Sequence, residues 1–191
     1  MRDAVERDLS AQLQSALAKA VRTAQYPKSG IDVFVTVLDC EGGLDGAGDG
    51  VEVGLMGVLA GAITCASAAV ADAGIECFDL VSGGVAALVD DRLKGSTLVL
   101  DPSPFDGYKI YAAAAVGYMA ARDELSLLWT KGSIGVGSSR STEEEVDVLI
   151  DGAISAATAV RLVLNEAVKE RLLLGMENSK AKDADAITVA A

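Results

Sequence analysis

The sequence predicts a mixed α/β domain, and three features of its residue pattern support that class. Near the start, apolar residues recur every four positions, as they do on one face of a helix. Farther on, several short apolar runs are separated by glycine, proline and charged residues, which is typical of strands and turns. A long amphipathic segment near the end opens with helix-capping motifs. Together these features predict the order α-β-α-β-β-β-β-α, with a sheet of mixed strand direction.

The composition is that of a folded chain with an acidic surface. Apolar residues make up 51% of the 191 residues and aromatic residues only 4%, so small aliphatic side chains are expected to fill the core. The 16 basic and 28 acidic residues give a net charge of −12. This charge argues against a free-standing nucleic-acid binder, which carries a basic face, but it suits a subunit with a basic neighbour.

Histidine and cysteine usage narrows the chemistry further. Histidine is absent, which removes histidine-based acid–base catalysis, Ser-His-Asp and Cys-His arrangements, and the commonest zinc ligand. The three cysteines, Cys40, Cys65 and Cys77, lie in apolar runs without CxxC spacing, so we expect small buried side chains. Their odd number, with no signal peptide before them, favours a reducing, intracellular compartment.

The first helix and the first strand are predicted by their periodicity. The helix carries apolar residues at every fourth position and is limited by Pro27. Its stripe consists of Val5, Leu9, Leu13, Leu17 and Val21. Residues 31–40 alternate in character, with Ile31, Val33, Val35 and Val37 on one side, and this alternation predicts a strand.

A glycine-rich stretch over residues 41–50 predicts a loop, and a second helix follows over residues 53–73 with Gly74 as its C-terminal stop. Residues 53–71 carry no charge, and this uncharged segment is near the length of a membrane span. They are mostly small residues, Glu52 and Asp72 close their ends, and no basic flank is present. We therefore expect a soluble helix that is buried on most sides.

Four strands and a final helix complete the chain. The strands are predicted over residues 78–89, with a kink or bulge at Gly83-Gly84, and over residues 97–100, 113–119 and 125–130.

The final helix begins at overlapping capping boxes, Ser141-x-x-Glu144 and Thr142-x-x-Glu145. Its apolar stripe comprises Val146, Leu149, Ile150, Ala153, Ala157, Val160, Leu164, Val168 and Leu172. Because the chain turns polar from Gly175, we predict a domain over residues 1–174 and a flexible tail over residues 175–191.

The glycine-rich loop is the first candidate for a chemical site, because backbone amides between a strand and a helix can hold phosphate. It contains neither GxGxxG nor Gly-Lys-Ser/Thr, and no basic residue occurs between Lys28 and Arg92, whereas that stretch holds eleven acidic ones. A flexible insertion is therefore favoured. A calcium loop using Asp45 and Asp49 is a weaker alternative, since its spacing matches no EF-hand.

The second candidate is Asp101-x-Ser103-x-x-Asp106, since two carboxylates at a strand end can hold magnesium. The two prolines between them favour an ordinary turn instead. The Gly- and Ser-rich residues 132–141 are interpreted as a linker into the capped helix, with phosphate contact at the helix start as the alternative.

Several stretches, taken in order, resemble the RNase PH-like ring subunits of the eukaryotic RNA exosome. The similarity covers residues 2–173, and its most specific part is Ala62-Ile63-Thr64-Cys65-Ala66-Ser67 running into Ala71-Asp72-Ala73-Gly74-Ile75. The other stretches are Glu6-Arg7-Asp8-Leu9-Ser10, Tyr26-Pro27-Lys28-Ser29-Gly30-Ile31-Asp32-Val33, Asp39-Cys40-Glu41-Gly42-Gly43, Phe78-Asp79-Leu80-Val81 and Leu98-Val99-Leu100-Asp101-Pro102-Ser103. Residues 2–10 and 27–32 look most like a fungal subunit of that ring.

The resemblance implies an RNase PH-like, two-layer α/β fold that lacks the family's leading strands and is therefore N-terminally incomplete. It also implies that the phosphate and metal positions are degenerate. Active members place Thr-Arg or Ser-Arg just after the glycine pair, whereas Gly42-Gly43 runs into Leu44-Asp45. Asp101 matches one of the family's two magnesium aspartates, Ser103 stands where the other would fall, and Asp106 cannot be assumed to replace it.

The resemblance therefore implies a subunit that is not an enzyme and has no cofactor or metal of its own. Its partners would be other RNase PH-like subunits, paired within a hexameric ring, and RNA-binding cap subunits. RNA would reach it through the assembled complex, in the nucleus, nucleolus and cytoplasm. The alternative is an active phosphate-dependent 3′→5′ exoribonuclease of the same family. The RNA-contacting residues stay unassigned.

Overall fold

The computed structural model describes residues 2–40, 52–91, 95–103, 107, 109–134 and 141–189. These residues form three helices and four strands. In chain order they are α1 Arg2–Ala18, α2 Val53–Asp72, β1 Ser82–Asp91, β2 Gly95–Leu100, β3 Ile110–Met119, β4 Glu124–Gly132 and α3 Thr142–Val189, with a 3₁₀ turn at Thr23–Gln25.

The four strands form one sheet in the order β2-β1-β3-β4. Both β1–β2 and β3–β4 are hairpins, so neighbours along the chain lie side by side, and β1 and β3 pair at the centre. All three pairings are antiparallel, whereas the sequence had suggested a mixed sheet. Helices cover both faces, since α2 packs on one and α3 on the other. The α/β class is confirmed. The two-layer arrangement that the resemblance implied is not, because helices lie on both faces of the sheet and give three layers in this part of the chain.

The alternation of β1 explains how one apolar strand serves two cores. Val85 and Ala87 face α2, where Met56 and Ala60 pack against them. Ala86 and Leu88 face α3 and join a second core with Leu149, Ala153 and Ala157. Because successive strand residues point to opposite faces, a strand buried on both sides has to be apolar at every position.

Gly83 and Gly84 stand where β1 comes closest to both helices. A Cβ at Gly83 would lie 2.5 Å from the Ala60 Cα of α2, and one at Gly84 would lie 2.9 Å from the Ala157 Cα of α3. The sequence had suggested a kink or bulge at these residues, but their pairing with β3 is regular and the irregularity falls between Leu88 and Val89. The absent side chains permit close helix packing rather than a bend.

Gly74 terminates α2 as predicted, two residues after Asp72, the last helical residue. The backbone of Gly74 has φ +71°, its N–H donates to the Ala71 carbonyl at 3.0 Å, and the Ile75 N–H donates to the Val70 carbonyl at 3.2 Å. This pair of bonds is the Schellman arrangement, which requires a left-handed residue and so favours glycine.

Among the described residues, α2 alone is long and apolar enough to cross a membrane, and 50% of that apolar window is buried inside the domain. The prediction that most of its sides are buried was therefore too strong. The buried side faces the sheet and α1. The opposite side carries Gly57, Gly61 and Cys65, which are exposed.

Helix α1 packs on α2 and also reaches the edge strand β4 of the sheet. Ala16 and Ala20, near the end of α1, are buried with Leu59 and Ile63 of α2 and with Leu127 of β4. The helix ends at Ala18, earlier than its apolar stripe indicated, and Val21 instead forms an isolated antiparallel bridge with Cys77. This bridge ties the end of α1 to the chain that enters the sheet.

Residues 31–40 are the main correction to the predicted fold. They are extended but belong to no strand, and among the described residues they have no sheet partner. Phe34 and Leu38 are 92% and 94% exposed, whereas Val33, Val35 and Val37 turn partly toward the helices, at 36–41%. The alternation typical of a strand is therefore present. The prediction of a strand was wrong because sheet pairing needs a neighbour that periodicity cannot reveal.

Helix α3 begins at the predicted cap. The Glu144 N–H donates to Ser141 Oγ at 3.3 Å and the Ser141 N–H donates to Glu144 Oε2 at 3.2 Å, which completes a capping box. The second, overlapping box does not form, because the Glu145 side chain is buried and accepts a hydrogen bond from Tyr111 instead.

The apolar stripe of α3 is buried at Leu149, Ala153, Ala157 and Leu164, but Leu172 is 58% exposed. The backbone stays helical to Val189, where the sequence predicted a tail from Gly175. No proline interrupts this stretch, and one internal glycine costs a helix only about 1 kcal/mol. The boundary between a domain over 1–174 and a tail over 175–191 stays a prediction.

We expect Gly84→Ala to lower the free energy of unfolding by about 3 kcal/mol, because the new methyl group overlaps the backbone of α3. Urea unfolding followed by the fluorescence of Trp129, the single tryptophan, measures the change. Gly57→Ala is the matched control. No atom lies within 4 Å of its Cβ position, so we expect a gain of about 0.5–1 kcal/mol. An unchanged midpoint for Gly84→Ala would contradict the close approach.

Candidate functional site

The end of β2 holds the described part of the predicted metal position. Asp101 is exposed and has φ +48°, a left-handed backbone conformation that is uncommon for a residue with a side chain. Its N–H donates to the Val85 carbonyl at 2.9 Å, so this turn is attached to β1. Pro102 is buried and Ser103 is half-buried. The chain therefore bends at Asp101, which lies at the surface, and the predicted turn beyond Ser103 lies outside the described residues.

The other predicted site residues lie outside the described residues. Gly42 and Gly43 fall in the stretch 41–51, and Asp106 falls in 104–106. The structure thus places Asp101 and Ser103 two residues apart at the end of β2, and the rest of the constellation stays a prediction. Within the described ranges, no group of three or more His, Cys, Asp or Glu residues is arranged to hold a metal ion.

A buried polar cluster lies between the sheet and the start of α3. The Tyr111 hydroxyl of β3 contacts Ser96 Oγ of β2 and donates to Glu145 Oε1 at 3.2 Å. Glu145 is 0% exposed. A buried carboxylate is costly unless it is hydrogen-bonded, and the first turn of a helix also favours negative charge. These contacts attach the start of α3 to both strands. The sequence predicted that Glu145 belongs to a capping box, so it did not indicate this contact with Tyr111.

The most buried ion pair among the described residues joins α3 to the chain just before β1. Arg161 pairs with Asp79, and their side chains are only 12% and 5% exposed. Arg161 also donates to the Leu80 carbonyl, and its Nε donates to Asn165 Oδ1 at 2.8 Å. The two Asp79 oxygens accept the N–H groups of Leu80 and Ala121, both at 2.8 Å. Three parts of the fold therefore meet at one carboxylate.

The exposed basic residues near this contact are neutralised by neighbours. Arg122 pairs with Glu124 at 2.8 Å, and Arg22 pairs with Glu76 at 3.5 Å. Both guanidinium groups lie over the ring of Phe78, about 5 Å from its centre. Lys131 pairs with Glu52. In the described part of the chain, Arg22, Arg122 and Lys131 are thus each paired with a carboxylate rather than joined in a basic stripe.

A groove runs between residues 31–37 and the two helices α1 and α2. It consists of two adjoining cavities of about 410 and 400 Å³. Its lining is mainly apolar and includes Leu13 of α1, Val35 of the extended segment and Val58 of α2. Among the described residues, its charged members are Glu6 and Asp32. The arrangement offers apolar surface beside a segment that has no sheet partner among the described residues, which suits association better than catalysis.

Comparison with known proteins places these features in a family context. Residues 1–76 match the model of the 3′ exoribonuclease family, domain 1. The chain is 38% identical over 172 residues to the exosome complex component MTR3 of Chaetomium thermophilum, covering 89% of this chain and 59% of that protein. It is 30% identical over 180 residues to the exosome complex component mtr3 of Schizosaccharomyces pombe, covering 93% and 59%.

The solved structure of rice (Oryza sativa) Rrp46 has the same fold, with a TM-score of 0.57, 16% sequence identity, and coverage of 86% of this chain and 66% of that one. The resemblance drawn from the motifs is thus confirmed, including its fungal character. The chain spans about three fifths of the length of the curated relatives it matches.

We expect Asp79→Ala to lower the free energy of unfolding by about 3–5 kcal/mol, because it leaves the buried Arg161 guanidinium without its counter-ion. Chemical denaturation measures the loss. Glu124→Ala serves as the control, since its pair with Arg122 is exposed and exposed pairs contribute little. Equal midpoints for the two variants would contradict the structural role of Asp79.

The cysteines provide a chemical test of the burial pattern. All three were predicted to be buried, but Cys65 is exposed and Cys40 and Cys77 are half-buried. Burial raises the pKa of the Cys77 thiol above its ordinary value, so less reactive thiolate is present at neutral pH. We expect iodoacetamide to modify Cys65 before Cys77, as followed by peptide mass mapping. In urea the two rates should converge; faster modification of Cys77 in the folded chain would contradict its placement.

Proposed function

The chain carries an RNase PH-like fold and is similar in sequence to exosome complex components, and on that premise we propose that it is a non-catalytic subunit of the exosome ring. It would support 3′→5′ RNA processing and degradation by helping to guide RNA toward a separate nuclease. The observation that carries the proposal is the similarity to MTR3 over 172 residues.

The site chemistry supports the absence of catalysis. Asp101 is one exposed carboxylate at the end of β2, and the nearby polar residue is Ser103, which is not a carboxylate. Magnesium-assisted phosphoryl chemistry needs oxygen ligands in sufficient number, together with cationic groups that hold the phosphate. The sequence between Lys28 and Arg92 has no basic residue to supply that charge. Gly42, Gly43 and Asp106 complete the degenerate constellation in this proposal.

The partners follow from the surface of the chain. Its net charge of −12 opposes self-association and favours neighbours with basic surfaces. We propose that these neighbours are other RNase PH-like subunits, one of them paired with this chain in a hexameric ring, together with cap subunits that bind RNA. The assembled complex would act in the nucleus, nucleolus and cytoplasm.

We expect the chain to co-purify with RNase PH-like exosome subunits when they are co-expressed, and to release no nucleoside diphosphates from RNA in the presence of phosphate and magnesium. Mass spectrometry of the complex and chromatography of the products provide the measurements. Failure of the chain to co-purify with any of these subunits would falsify the proposal. The alternative is an active phosphate-dependent 3′→5′ exoribonuclease. It would be established if the pure chain released nucleoside diphosphates and the Asp101→Asn variant did not.

A further inference from the structure

Helix α3 carries an exposed apolar face beyond the part that packs on the sheet. Leu162 is 66% exposed, Val163 71%, Leu173 52% and Leu174 48%. The last buried residue of the helix in the described part is Leu164. Large apolar side chains this exposed, and this close together on one element, mark a contact surface more often than they mark ordinary protein surface.

The pattern on this face is regular. Because 3.6 residues make one helical turn, Leu162 and Leu173 lie almost one above the other along the helix and form one row. Val163 and Leu174 form a second row, about 100° around the helix axis from the first. The members of each row are eleven residues apart, or about 16 Å along the axis.

A line of carboxylates separates the two rows. Glu166, Glu170 and Glu177 occupy the positions between them, and all three are exposed. Lys169 pairs with Glu166 at 3.7 Å but lies to one side of the line. Arg171 points the other way and donates to Asp72 of α2 at 2.8 Å. The centre of the face is therefore acidic, and its two flanks are apolar.

The charges decide which occupant fits. A second copy placed antiparallel on this face would bring the two lines of carboxylates together, and each copy carries a net charge of −12, so self-pairing is opposed. A neighbour with a basic centre between two apolar strips matches both the charge and the shape.

We propose that this face, defined as Leu162, Val163, Glu166, Glu170, Leu173 and Leu174, docks a neighbouring RNase PH-like subunit through a basic, apolar-flanked surface of that subunit. The inference rests on the proposed function, because it assigns a surface to the partner named there. It makes α3 a helix with two roles. Its first half forms the core with the sheet, and its second half forms the contact between subunits.

The test uses the full chain co-expressed with RNase PH-like exosome subunits. We expect Leu162→Asp with Leu173→Asp to weaken binding of the neighbour at least about 30-fold, as loss of an interface hot spot does. Glu166→Lys with Glu170→Lys is expected to weaken it by about tenfold, with the largest effect at low salt. Pull-down and isothermal titration give the affinities, and circular dichroism checks folding.

Two matched controls place similar changes elsewhere. Leu128→Asp alters a residue of β4 that is 45% exposed, and Glu143→Lys with Asp147→Lys reverses two exposed charges near the start of α3. Both are expected to bind within about twofold of the unaltered chain, since rim and remote positions contribute little.

The outcomes separate the two proposals. If the unaltered chain binds a neighbour and the face variants bind it equally well, the docking face is wrong while the proposed function stands. If the unaltered chain binds no RNase PH-like subunit, both fail. If the chain forms homodimers that the face variants abolish, the occupant is a second copy and the inference is overturned.

Discussion

The close approach of two helices to one pair of glycines is the constraint on which the rest of the structure depends. Strand alternation turns Gly83 toward α2 and Gly84 toward α3, so the same two residues set the distance of both outer layers. Ala60, Ala153 and Ala157 meet them there, and their small side chains complete the contact. A core with only 4% aromatic residues cannot fill wide gaps, so it depends on such close packing.

The ion pair of Arg161 and Asp79 follows from that packing. Arg161 lies one helical turn beyond Ala157, and Asp79 lies a few residues before the glycine pair. The contact between Gly84 and Ala157 therefore places the two charged side chains beside each other. Once there, they are nearly buried, and the Asp79 carboxylate is satisfied by backbone N–H groups as well as by the guanidinium. The polar groups at the strand ends thus mainly connect helices to the sheet. Tyr111 of β3 and Glu145 make such a connection near the start of α3.

The sequence correctly predicted those features, such as helix boundaries, that depend on a few neighbouring residues. Gly74 and Ser141 were identified as helix boundaries because a left-handed backbone and a capping hydroxyl have specific residue preferences. Residues 31–40 were predicted to form a strand because alternation is local, whereas the sheet pairing that this requires is not. Glu145 fitted a capping box equally well, and only the tertiary position of Tyr111 shows its actual partner. At the candidate site, the sequence predicted the turn at Asp101. The surrounding constellation depends on distances across the fold, which spacing alone does not give.

The extended segment with Phe34 and Leu38 nearly fully exposed has a consequence for the life of the chain in a cell. An apolar, unpaired stretch of this kind is what chaperones bind and what quality-control proteases recognise in incompletely assembled proteins. On this basis we expect a copy in which this stretch stays uncovered to be bound by chaperones or cleaved more readily than a copy in which it is covered. The same exposure would then couple the abundance of the chain to the supply of whatever covers the segment.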